Sequence, residues 1–65
     1  MRIEDLNTIY SRKEVEQALA MQGAGWSSED SVEDLLHDFD NLSINEAKTY
    51  FEIIEKLEEI EEEEN

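Results

Sequence analysis

The chain has 65 residues, 19 of them acidic and 5 basic, for a net charge of −14. That balance argues strongly against direct nucleic-acid binding, which needs Lys and Arg to neutralise phosphates, and against docking on an anionic membrane. There is no Cys, so helix packing, capping or self-association must hold this single small domain together.

Residues 1–10, "MRIEDLNTIY", lack the basic stretch and apolar core of a signal peptide. No apolar run approaches the length needed to span a bilayer. The expected location is the cytoplasm, or the host cytoplasm if the protein is viral. Ile3, Leu6 and Tyr10 fit a short helix, although Thr8, Ile9 and Tyr10 also suit an extended segment. The helix is the favoured reading.

The next helix starts after Ser11, where "SRKE" places Ser11 and Glu14 as a capping box. Tyr10 and Val15 suit a hydrophobic staple across that cap. Val15, Ala18 and Leu19 follow the helical period, and Gly23 is the natural stop. The only two glycines lie in "QGAGW", the clearest break in the chain.

A second helix is predicted to start at Ser27 or Ser28. Val32, Leu35, Leu36 and Phe39 form its apolar stripe. A third starts at Ser43, which with Glu46 makes another capping box, and Leu42 is placed to staple against Ala47. Its stripe runs through Ile44, Ala47, Phe51, Ile54 and Leu57, widened by Tyr50, Ile53 and Ile60. Ile3, Leu6 and Ile9 are the expected cover for that width. Six Glu in the last eight residues repel one another, so fraying is expected after about Ile60. The predicted fold is an all-α three-helix bundle with a short N-terminal fourth helix. One helical domain over residues 1–60 carries an acidic tail over 61–65.

Little points to catalysis, a cofactor or a metal. The single His, His37, lies near Glu33 and Asp38 but has no second imidazole or accompanying motif. It reads as solvated or packed at the stripe's edge. "DFDNLSINE" begins like a calcium loop at Asp38 and Asp40. The match fails at Ser43, where the turn needs Gly, and at Thr49, where a bidentate Glu belongs. A helix-turn-helix reading fails because the recognition helix would present acids to phosphates.

The acids themselves are more informative. From Glu14 to Ala47 there are nine acids and no Lys or Arg. An ordinary solvated helix intersperses both signs, because opposite charges at i,i+4 stabilise it. The last helix offers such pairs in Lys48–Glu52 and Glu52–Lys56, whereas the middle one offers none. On one continuous helix Asp30, Asp34 and Asp38 would recur every four residues, about 6 Å apart. Glu29 and Glu33 would form a neighbouring row. That spacing is comparable with adjacent phosphates of one nucleic-acid strand.

A solvated face is the ordinary reading of such a run. The sharper one is a partner-binding surface of Glu29, Asp30, Glu33, Asp34, Asp38 and Asp40, with Trp26 as an apolar anchor. Trp26 also suits a purely structural place, capping the core. The expected protein is a non-catalytic module that docks on a basic, nucleic-acid-binding surface of another protein and inhibits it. In size and charge alone it resembles small phage-encoded inhibitors that mimic nucleic acid. The alternative is an assembly adaptor that binds a partner helix, or a second copy as a homodimer, through Tyr50, Ile53, Ile54, Leu57 and Ile60.

Overall fold

The computed structural model describes residues 2–63. Among them are four helices and no strand: α1 (Ile3–Ile9), α2 (Arg12–Gly23), α3 (Val32–Asp38) and α4 (Ile44–Glu63). α4 is the spine, with 20 residues, and each of the other three packs against it. The protein is therefore a small all-α bundle, and residues 1–10 do contribute the short fourth helix.

Acids near its start explain why α1 is helical. Glu4 and Asp5 lie in its first turn, where the helix dipole favours negative charge. The Asp5 carboxylate accepts the Arg2 N–H at 3.0 Å, and Thr8 Oγ1 donates back to the Asp5 carbonyl at 2.7 Å. Only Leu6 reaches the core; Ile3 and Ile9 are 45% and 57% exposed. The expected cover of α4 by three residues of this segment is thus supplied by one.

α2 begins as expected. Ser11 Oγ accepts the Glu14 N–H at 3.3 Å, and the Glu14 carboxylate accepts the Ser11 N–H at 3.2 Å. Val15, Ala18 and Met21 are buried, and Tyr10 packs on the same core; Leu19 is 38% exposed. The stop differs in detail from the expectation. Gly23 is the last helical residue, and Gly25 takes the positive φ, +105°. Gly25 N–H donates to the Gln22 carbonyl, and Trp26 N–H reaches back to Met21 at 3.0 Å. These two bonds are the Schellman closure, which requires its left-handed residue one place beyond the cap, here Ala24.

α3 starts later than Ser27 or Ser28. Its N-cap is Ser31, whose Oγ accepts the Asp34 N–H at 3.2 Å. Residues 27–30 form a turn instead: Asp30 N–H donates to the Ser27 carbonyl, and the Asp30 carboxylate accepts the Ser27 N–H at 2.9 Å. Ser28 is committed elsewhere. Its hydroxyl donates to Glu58 Oε1 at 2.5 Å and its N–H to Oε2 at 3.3 Å. Leu35 is fully buried, with Val32 and Leu36 half-buried beside it. Phe39, expected on the buried stripe, is 36% exposed. It follows the end of α3 on extended backbone, so it leaves the helical face.

At α4, Ser43 Oγ accepts the Glu46 N–H at 3.2 Å, the capping half of the expected box, and the Glu46 carboxylate takes the Ser43 hydroxyl at 3.0 Å in place of its N–H. Ala47, Ile53, Ile54, Leu57 and Ile60 are buried, with Tyr50 and Phe51 half-buried against them. Ile44, expected on the stripe, is 57% exposed. α4 runs three residues past Ile60, where fraying was expected to set in. That side chain is buried at 3% exposure and anchors the last turn, so α4 continues to Glu63. Residues 64 and 65 of the expected tail lie outside the described residues. Among the described residues Lys48–Glu52 and Glu52–Lys56 do not close as ion pairs; Glu52 instead accepts the Tyr10 Oη proton at 3.3 Å.

Candidate partner-binding surface

The acidic segment is a turn, a two-turn helix and a second turn. Glu29, Asp30, Glu33, Asp34, Asp38 and Asp40 are all exposed along it. They do not form the continuous helical row expected of them. Asp30 lies outside α3, and its carboxylate is occupied by the Ser27 N–H. Only Asp34 and Asp38 keep the i,i+4 relation, with Glu33 beside Asp34. Glu33 and Asp34 sit in the first turn of α3, where the dipole stabilises them, which offsets part of their mutual repulsion.

No Lys or Arg pairs with any of these acids among the described residues. The one ionisable contact is His37 Nδ1 to Asp38 Oδ1 at 3.9 Å, too long for a hydrogen bond. His37 points into solvent, its side chain 91% exposed, rather than packing at the edge of the stripe. The Arg12–Glu16 ion pair is an exposed i,i+4 contact within α2.

Trp26 takes the structural place. It is half-buried on the core, its ring 6.5 Å from Phe51 edge-on and 6.5 Å from Phe39 at a tilt. Both are favourable aromatic geometries. As the residue closing α2 it also returns its N–H to Met21, so it is fixed by backbone and ring contacts together.

Tyr50, Ile53, Ile54, Leu57 and Ile60 belong to the bundle's interior, not to an open face. Four are at most 3% exposed and Tyr50 is half-buried. Leu6, Val15, Met21 and Leu35 share the core that covers them. The stripe is wide because α4 is packed from three sides, which its own sequence could not reveal.

A feature that sequence reasoning missed lies beside the acidic segment. Between α2, the α3–α4 turn and α4 is a cleft of about 460 Å³. Met21, Leu42 and Tyr50 form its deeper wall, with Phe39, Asp38 and Asp40 at the opening. No local pattern joins Gln17 and Met21 to residues 38–42; only packing does.

No helix among the described residues is long and apolar enough to cross a membrane. No protein-family model matches the chain, and no curated protein or solved structure matches it, so the functional reading rests on this geometry.

Proposed function

We propose that the protein is a non-catalytic binding module whose acidic segment docks on a basic, nucleic-acid-binding surface of another protein and blocks it. The observation that carries this reading is the set of exposed acids Glu29, Glu33, Asp34, Asp38 and Asp40, with no Lys or Arg between Glu14 and Ala47 to neutralise them. Asp34 and Asp38, the one i,i+4 pair of acids among them within α3, cost about a few tenths of a kcal/mol. A partner's cations would recover that energy on binding. Long-range attraction would speed encounter, and apolar contacts beside the acids would hold the complex.

The test is capture of partner proteins from cells that naturally contain this chain, with the wild type and a Glu29→Lys/Glu33→Lys/Asp38→Lys variant as paired baits. Asp30 is left intact because it holds the Ser27 turn, and Asp34 so that one of the two first-turn acids of α3 remains. A nucleic-acid-binding protein retained by the wild type and lost by the variant supports docking through the acids. The adaptor alternative has no comparable surface, since its stripe is buried. For the same reason Ile54→Asp would report unfolding rather than a lost interface.

A further inference from the structure

We infer that the cleft beside Phe39 is the anchor site for one arginine side chain of the partner's basic segment. The inference rests on the acidic-docking reading and adds where on the surface, and by which residue type, the partner is gripped.

Three properties of the cleft point to that occupant. Its volume of about 460 Å³ lies within the range of roughly 300–1,000 Å³ typical of ligand pockets, so it has room for a long side chain with its flanking backbone. Its deeper wall is apolar and aromatic, with Met21 almost wholly buried and Leu42 and Tyr50 half-buried. Its opening carries two exposed carboxylates, Asp38 and Asp40, and no Lys or Arg lines it.

The polar groups around the cleft are also available. Among the described residues Asp40, Asn41 and Gln17 make no side-chain hydrogen bond, and Asp38 has only the long His37 contact. A neutral apolar ligand would gain nothing from the two carboxylates, and an anion would be repelled by them. A cation on an apolar stem satisfies both halves of the cleft.

Arginine fits better than lysine. Lying along the cleft rather than entering it tip-first, its methylene stem can rest on Met21 and Leu42 while the planar guanidinium turns back to the opening, stacks on Phe39 and forks to Asp38 and Asp40. An ammonium is a compact, strongly hydrated charge and loses more water on entering such a site. Phe39 and Tyr50 supply the rings, and Asp38 and Asp40 the acceptors.

The test is a nuclear magnetic resonance titration of the full chain at low salt with two probes. Butylguanidinium reproduces one arginine side chain, and a hexa-arginine peptide reproduces a basic segment. If the cleft is the anchor, butylguanidinium produces saturable shifts at the Met21 and Leu42 methyls and the Phe39 and Tyr50 rings. Butylammonium then binds more weakly, and Asp38→Asn/Asp40→Asn reduces the guanidinium affinity about tenfold. Shifts spread over every carboxylate without saturation at the cleft overturn the inference, as does undiminished binding to the double variant. If hexa-arginine shifts Glu29, Glu33 and Asp34 while the Met21, Leu42, Phe39 and Tyr50 signals stay silent, the anchor fails and the acidic-docking reading survives. If neither probe binds anywhere, both fail.

Discussion

Glu58 holds Ser28 with both carboxylate oxygens, one accepting the hydroxyl and the other the N–H, across 30 residues of sequence. Those bonds tie the turn before α3 to the C-terminal half of α4. Hydrogen bonds to a charged group are worth about 1.5–3 kcal/mol when sequestered, and this site is only partly buried. Glu58→Ala should therefore cost about 1–2 kcal/mol and lower the melting temperature by roughly 5–10 °C. A double-mutant cycle with Ser28→Ala should show coupling of about 1 kcal/mol, and strictly additive losses would mean that the tether contributes nothing.

The two glycines should respond in opposite directions. A methyl group meets no atom within 4 Å at either, so backbone conformation alone decides. Gly23→Ala removes a flexible residue from a helix and should stabilise the fold by about 0.5–1 kcal/mol. Gly25→Ala forces a side chain onto φ +105° and should destabilise it by about 1 kcal/mol or more. Equal shifts in urea midpoint for the two variants would contradict the Schellman closure at Gly25.

That contrast shows how far the sequence could be read. Ser11–Glu14 and Ser43–Glu46 are local signals, and both caps form where their spacing places them. Gly23 and Gly25 both suit a helix stop, and the choice depends on which carbonyls the chain folds back to. The start of α3 was illegible for a longer-range reason. Ser27, Ser28 and Ser31 can all cap, but Ser28 is drawn away to Glu58 and Ser27 is held in a turn by Asp30. The acidity of the candidate surface was legible from composition. The cleft beside it was not, because it is made by residues that only the bundle brings together.

Self-repulsion should be visible in the free protein. With 19 acids against 5 bases and few ion pairs, screening removes more repulsion than attraction. The melting temperature should rise as salt is added from about 0.01 M to 0.5 M, over which the Debye length falls from about 30 Å to a few Å. A falling melting temperature would mean that attractive pairs dominate.

Alkaline titration tests the packing of both tyrosines. Burial, followed by the nearby Glu52, raises the Tyr10 phenol above its ordinary 10.0. Burial, followed by Glu46, does the same for Tyr50. In the unfolded chain both would ionise near 10.0, so the folded state holds these protons to higher pH. Their contribution to stability is complete below that value and is lost as pH rises through the raised ones. Tyrosinate absorbance should therefore appear at higher pH in the native protein than in denaturant. Coincident curves would mean that neither ring is packed.

The central claim is that the exposed acids of residues 29–40 engage a partner's basic, nucleic-acid-binding surface. Its most direct measurement is competition: the captured partner, bound to this protein, is titrated with a short DNA or RNA duplex, using wild type and the folded Glu29→Lys/Glu33→Lys/Asp38→Lys variant. Mutually exclusive binding of nucleic acid and wild type is expected, with the variant failing to bind. A partner that holds nucleic acid and wild type together, or binds the variant equally well, would contradict the claim.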